Sequence, residues 1–351
     1  MKRIKQMQEF LKMKNVDWLV IDTPISLFYL TGLDLSFGQL WINAKDAMLF
    51  VDGRYMEIAK KTSPCPVDIF EEKKVLSFLA FCVSYKKIAF DSFHTSYSRV
   101  EEMQEFVKKG GQNFSLVPLM DPLRFFRVKK EKKELKLLKK AADLTYEAME
   151  HCRLLLKEGI TEKEVAIEFE FFCKKKGAEN VSFAPIIAFG KNSSMPHHNS
   201  SDTPLKEGDI VLMDLGIVVD HYCSDITRCF FFGKKDFFLS DLYTTVKEAQ
   251  KVALALCRPG VRTKELDEAA YLFVAKKGYG KNYLHALGHG VGLEVHEYPR
   301  IRREGKDKDI FLEEGMVITI EPGLYFSKKG GVRYEDTIVI TADGFENFYP
   351  I

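Results

Sequence analysis

Residues 208–232 read Gly208-Asp-Ile-Val-Leu-Met-Asp214-Leu-Gly-Ile-Val-Val-Asp220-His-Tyr-Cys-Ser224-Asp225-Ile-Thr-Arg228-Cys-Phe-Phe-Phe232. Two apolar runs stand here, one closing on an acid and the other opening just after one. Each has the length and β-branched content of a buried strand. Folding the stretch back on itself about Val219 and Asp220 sets Asp214 opposite Asp225. Opposed residues of an antiparallel pair hold their Cβ atoms about 4.5–5.5 Å apart, and like charges that close destabilise the pair. A cation between them reverses the sign. The same pattern recurs downstream. Met316–Ile320 runs into Glu321-Pro-Gly323, and Gly331-Val-Arg333-Tyr-Glu335-Asp336 runs into Ile338–Ile340. The turn signal Ser327–Gly331 between them sets Glu321 opposite Glu335.

A histidine joins the four acids. His289 lies in His285-Ala-Leu-Gly288-His289-Gly290-Val-Gly292, ahead of His296-Glu297. Its flanking glycines allow close backbone approach to a bound group. Four carboxylates and one neutral imidazole match the charge of two divalent cations, and oxygen-rich sets of this kind suit hard or borderline ions. Taken singly, an acid at a strand end is usually a solvated turn or a helix cap, and a histidine near glycines an ordinary core or surface residue. The doubled hairpin is what argues for a metal pair, a centre that lowers the pKa of water and polarises a carbonyl.

Composition narrows the alternatives. The chain has 351 residues, 46% hydrophobic and 29% charged, too long for one ordinary core and suited to two domains. A net charge of +2, with lysines interspersed among acids, gives no bias toward nucleic acid. No apolar run approaches membrane-spanning length. The charged, amphipathic start Met1–Phe10 lacks the apolar core of a signal peptide. The 7 cysteines form no C-x-x-C pair and read as free thiols of a cytoplasmic protein. Cys223 and Cys229 flank Asp225, but thiolates are poor company for four carboxylates.

The N-terminal third alternates strands (Trp18–Ile21, Ala47–Val51, Lys87–Phe90) with helices, among them Arg54–Lys61. Asp121-Pro122 and the basic run Arg127–Lys133 mark a boundary, giving domains 1–126 and 127–351. Beyond it Glu131–Leu156 reads as a long helix, and Thr161-Glu-Lys-Glu164 as a capping box for the next. An internal repeat runs at an offset of 101: Gly159 with Gly260, Glu164 with Glu265, Phe172 with Phe273 and Gly177 with Gly278. Each half therefore reads helix, turn, helix, then a carboxylate-bearing hairpin, and two such halves face a common axis.

The words Gly190-Lys-Asn-Ser-Ser-Met-Pro196-His197-His198, Asp214-Leu-Gly, Ser224-Asp225-Ile-Thr-Arg228, Gly288-His289-Gly, Val295-His296-Glu297, Glu321-Pro-Gly323 and Arg333-Tyr-Glu335-Asp336 follow one another in a known order. Over about residues 130–351 the chain resembles the Xaa-Pro peptidases, prolidase and aminopeptidase P, of the methionine-aminopeptidase-like superfamily. Asp52-Gly-Arg54-Tyr55 is similar to the small non-catalytic domain of those enzymes. The resemblance implies an α/β (α+β) chain, with a small creatinase/prolidase-type domain preceding a pita-bread catalytic domain of internal pseudo-twofold symmetry. It implies Asp214, Asp225, His289, Glu321 and Glu335 as ligands of two divalent ions, manganese first, cobalt or zinc as alternatives. Asp225 and Glu335 are the expected bridges, with Asp214 completing one ion and His289 and Glu321 the other. Glu321 is the expected proton shuttle. His197 and His296 are expected at the substrate carbonyl and the oxyanion.

Other positions follow as expectations. Arg333 orients Glu335 from behind, and Phe183 and Ile187 form apolar pocket wall. His198 and His285 line the pocket without an assigned role. Arg300 in His296-Glu-Tyr-Pro-Arg300 is placed to grip a dipeptide's free carboxylate. This favours an Xaa-Pro dipeptidase acting on peptides with proline second, aminopeptidase P being the alternative. A non-peptidase pita-bread binding protein and a methionine aminopeptidase are weaker readings. Relatives of this kind are commonly homodimers.

Overall fold

A computed structural model describes residues 2–80, 86–109, 114–305 and 308–350. The chain divides into two compact units, Met1–Leu123 and Arg124–Ile351.

In the first unit six strands form one sheet, in the order Val67–Ile69, Ala47–Val51, Gln39–Ile42, Trp18–Ile21, Lys86–Asp91, Phe114–Leu119. Trp18–Ile21 is central, antiparallel to Gln39–Ile42 and parallel to Lys86–Asp91, and all four of its residues are buried. Trp18, Phe50, Phe90 and Val75 pack a core between sheet and helices. The helix expected from Arg54 begins at Met56. The Asp52 carboxylate takes the Arg54 backbone N–H at 2.9 Å and its guanidinium at 2.7 and 3.0 Å, so the chain turns there first.

In the second unit the repeat is visible in the backbone. The helices Glu162–Lys175 and Thr263–Lys276 have bounds offset by the sequence period, and each ends on a left-handed glycine, Gly177 (φ +98°) and Gly278 (φ +87°). Lys132–Leu154 and Phe237–Leu254 are their longer partners. Thr161 and Glu164 form the expected capping box. Leu212, Val246, Leu266, Ile318 and Ile338 share one apolar core between helices and sheets. Among the described residues no helix is long and apolar enough to cross a membrane. Six cysteines are free thiols; Cys82 lies outside the described residues.

The two hairpins differ in how they meet expectation. The downstream one follows it: Val317–Ile320 pairs with Asp336–Ile340, and Gly323–Phe326 with Gly330–Arg333, in a single register about Lys328. Extending that register sets Glu321 opposite Glu335. The upstream one is shifted. Ile210–Leu215 pairs with Ile226–Phe231 so that Asp214 faces Thr227, not Asp225. The turn falls at Asp220-His221, both with positive φ (48° and 69°), the signature of a two-residue hairpin turn. A shift of two residues preserves the side-chain face, because strand side chains alternate with period two. A bridge between Thr227 and Glu335 then joins one hairpin to the other.

Candidate metal centre

That bridge brings the acids together. Glu335 N–H donates to Thr227 O at 3.1 Å, and the Thr227 hydroxyl donates to Glu335 Oε2 at 2.7 Å. Asp225, His289 and Glu335 hold ligand atoms within 4.8 Å of one another. His289 Nε2 lies 3.6 Å from Asp225 Oδ2 and 3.4 Å from Glu321 Oε1. Asp214 is buried on the same cleft, with Oδ2 on the Arg333 guanidinium and Oδ1 buried without a hydrogen bond. The backbone of Asp225 is pinned by Thr337 (2.8 Å) and Tyr349 (2.9 Å), whose hydroxyls donate to its carbonyl.

The tautomer of His289 is set by its own strand. Nδ1 lies 3.0 Å from Gly290 O and donates to it, which leaves the Nε2 lone pair toward the acids. A side chain at Gly288 would strike Thr319 O at 2.0 Å, so only glycine permits this strand to lie so close to its neighbour. Burial drives the His289 imidazole down to about 3, so it stays neutral.

The acids show the opposite strain. Burial pushes the Glu321 carboxyl up to about 8, Arg333 opposing and Asp214 adding to the rise. Burial, then the neighbouring carboxylates, raise Asp225 and Glu335 well above the usual range. Four carboxylates share this cleft with the guanidinium groups of Arg333 and Arg300, and burial with mutual repulsion still raises Asp225, Glu321 and Glu335. An orphaned carboxylate oxygen, a lone imidazole nitrogen and an excess of buried acid together fit divalent cations.

Of the residues expected at the site, Phe183, His197, Asp214, Asp225, His289, His296, Arg300, Glu321, Arg333 and Glu335 line one cleft of about 800 Å³. His198 and His285 line it too. His289 and Arg300 are partners across the antiparallel pair Gly288–Gly290 and Glu297–Ile301, so their side chains share a face. The His289 and His296 rings meet edge to face, centroids 4.3 Å apart. Ile187 is a correction: it is buried in the core, and Ile186 takes the cleft side of that strand.

Arg333 stands behind the ligands and has a second partner besides Glu335. Its guanidinium holds Asp214 and is linked to Glu335 through Thr227, whose hydroxyl accepts from Nε at 3.0 Å and donates to Glu335. Its Nη1 donates to the Tyr325 hydroxyl at 2.7 Å, and that hydroxyl lies 2.9 Å from His285 Nε2. Burial lowers His285 to about 4, so the neutral ring accepts from Tyr325 while Nδ1 donates to Ala286 O. Arg228 grips the Glu335 carbonyl and Asp336 Oδ1, and Gln250 holds Asp336 Oδ2 at 2.9 Å. Thr227, Tyr325 and this Arg228–Asp336 pair carried no role in the sequence reading. The available signal was a Thr-Arg pair inside an otherwise apolar strand.

The description of metallopeptidase family M24 matches residues 136–342, and that of the creatinase/prolidase N-terminal domain residues 3–129. An Xaa-Pro dipeptidase of Pyrococcus horikoshii is 38% identical over 97% of this chain and 95% of its own. The crystal structure of the prolidase from Pyrococcus horikoshii superposes with a TM-score of 0.91 at 38% identity, covering 99% of this chain and 98% of that one. An X-Pro aminopeptidase from Thermotoga maritima gives 0.88 at 30% identity, covering 98% of each.

Proposed function

The chain belongs to metallopeptidase family M24, and from that premise we propose that it is an Xaa-Pro dipeptidase working through two divalent ions. The observation that carries this reading is the meeting of Asp225, His289 and Glu335 on a cleft that also holds Arg300. Asp214, Asp225, His289, Glu321 and Glu335 would hold the ions. When bound, these supply Lewis acidity at the scissile carbonyl and lower the pKa of water.

The chain's own groups do the rest. Glu321, with Oε1 3.4 Å from His289 Nε2 at the meeting point of the acids, is the group assigned to carry a proton between water and the leaving proline nitrogen. His197 and His296, exposed on the cleft wall, are placed to donate toward the substrate carbonyl and the oxyanion. Arg333 fixes Asp214 and, through Thr227, Glu335. Phe183 offers apolar surface to the substrate.

Arg300 favours the dipeptidase over aminopeptidase P. It pairs with His289 across the strands and lines the same cleft, so its cation faces the proposed centre. A dipeptide's carboxylate must be neutralised close to the scissile bond, since burying it unpaired is costly. We further propose manganese as the resident ion, a cytoplasmic location, a homodimer, and a non-catalytic role for the first unit, with the functional boundary at residues 126 and 127. The test is hydrolysis of Xaa-Pro dipeptides against Xaa-Pro-Yaa tripeptides by the purified protein with added divalent metal. Faster release of proline from dipeptides is expected. A preference for tripeptides moves the assignment to aminopeptidase P, and no cleavage of either overturns the reading.

A further inference from the structure

One further buried carboxylate near the cleft, Glu162, belongs to no ligand set. Glu162 is wholly buried at the first turn of the helix Glu162–Lys175. Its Oε1 accepts from Phe189 N–H at 2.8 Å and Asn192 Nδ2 at 2.9 Å. Its Oε2 accepts from Ser201 N–H at 3.0 Å, the Ser201 hydroxyl at 2.6 Å and His198 Nε2 at 2.8 Å. Five donors, all from residues 189–201, converge on one side chain. That segment carries His197, which lines the cleft next to the gripped His198.

The helix does not need this acid. Its cap comes from Thr161 and Glu164, which satisfy each other's orphan donors. At the repeat-related position of the other half the residue is Thr263, so the helix–turn unit forms equally well without a carboxylate. Burying a charge is costly unless it is fully hydrogen-bonded. Here the donors and the helix N-terminus meet that cost. Opposite Glu162, the same loop is touched from the strand Gly330–Arg333. Gly331 N–H donates to Ser193 Oγ at 2.9 Å, and Arg333 Nη1 lies 3.5 Å from Pro196 O. The loop is thus held between the buried acid and the strand that delivers Arg333.

We propose that Glu162 is a positioning residue that acts through His198 and Ser201 to hold His197 at the substrate carbonyl. The proposal rests on the Xaa-Pro peptidase reading of the cleft. Glu162→Gln is the informative change. It keeps Oε1 for Phe189 and Asn192 but turns an amide N–H₂ toward Ser201 and His198. The Ser201 hydroxyl and the His198 ring can reverse roles; the Ser201 backbone N–H cannot.

A misplacement of about 1 Å costs on the order of 10²-fold in rate. Glu162→Gln is therefore expected to lower kcat on an Xaa-Pro dipeptide by about 10- to 100-fold, with bound metal unchanged. In a His197→Ala background the same change should cost only about 2- to 3-fold, since residues acting through one another are not additive. Equal fold-losses in the two backgrounds overturn the proposal. Ser201→Ala, which removes one donor of five, repeats the cycle more gently should Glu162→Gln fold poorly. A readout free of turnover separates this idea from the functional reading. In zinc-loaded protein the His197 imidazole NMR signals should shift or broaden in Glu162→Gln. Unchanged signals refute the positioning role whatever the peptide assay gives, whereas wild type that cleaves no Xaa-Pro peptide refutes only the assigned reaction.

Discussion

Thr227→Val tests the link between the two hairpins. Valine matches threonine in shape and removes only the hydroxyl. That hydroxyl is wholly buried, accepts from Arg333 Nε at 3.0 Å and donates to Glu335 Oε2 at 2.7 Å. Hydrogen bonds to charged groups contribute about 1.5–3 kcal/mol each. A cation held by Glu335 as proposed would satisfy much of its charge, so the loss would fall chiefly on ligand orientation. Removing a group that orients a ligand costs about 10- to 100-fold in metal affinity. We expect a drop of that size in a competitive chelator titration, with KM for dipeptides little changed at saturating metal. Thr227→Ser, which keeps the hydroxyl, should stay near wild type. A Thr227→Val protein within about 2-fold of wild-type affinity would refute the reasoning.

Three further outcomes follow. Arg300→Ala should raise KM for Xaa-Pro dipeptides by about 10- to 150-fold, the loss of one charge-assisted bond, and leave tripeptide cleavage nearly untouched; equal losses would make Arg300 structural. Glu297 accepts from Arg127 at 2.5 Å and Lys130 at 3.1 Å, and these cations outweigh its burial to hold it at about 2 against an ordinary 4.5. A depressed carboxyl stabilises the fold above its unfolded value and loses that contribution as pH falls toward 2, here on the order of 3 kcal/mol; Glu297→Gln should flatten the acid limb of denaturation free energy between pH 4.5 and 2, and an unchanged limb would contradict it. Light scattering should report a dimer, and a mass near 40.3 kDa at working concentration would refute that.

The four acids were legible because each is tied to a strand end and a turn that local sequence encodes, and His289 because of the glycines that flank it. The downstream register came out as read because one turn about Lys328 fixes both ladders. The upstream register slipped by two because Asp220-His221, not Val219-Asp220, adopts the positive-φ turn. Setting the acids face to face had assumed that the charges define the pairing, whereas the turn does. The even slip spared the site, as both acids still line the cleft. What stayed hidden depends on distant partners. Arg333 reaches Asp214 across 119 residues, and Glu162 meets its donors 27 to 39 residues ahead. No local period encodes such contacts. Ile187 was misplaced by a single residue of alternation, which is enough to exchange cleft for core.

The most direct measurement is a titration of chelator-stripped protein with divalent metal, following free proline released from an Xaa-Pro dipeptide. The account predicts no turnover without metal and a plateau at two ions per chain. Full activity in the stripped protein, or none after loading, would contradict it.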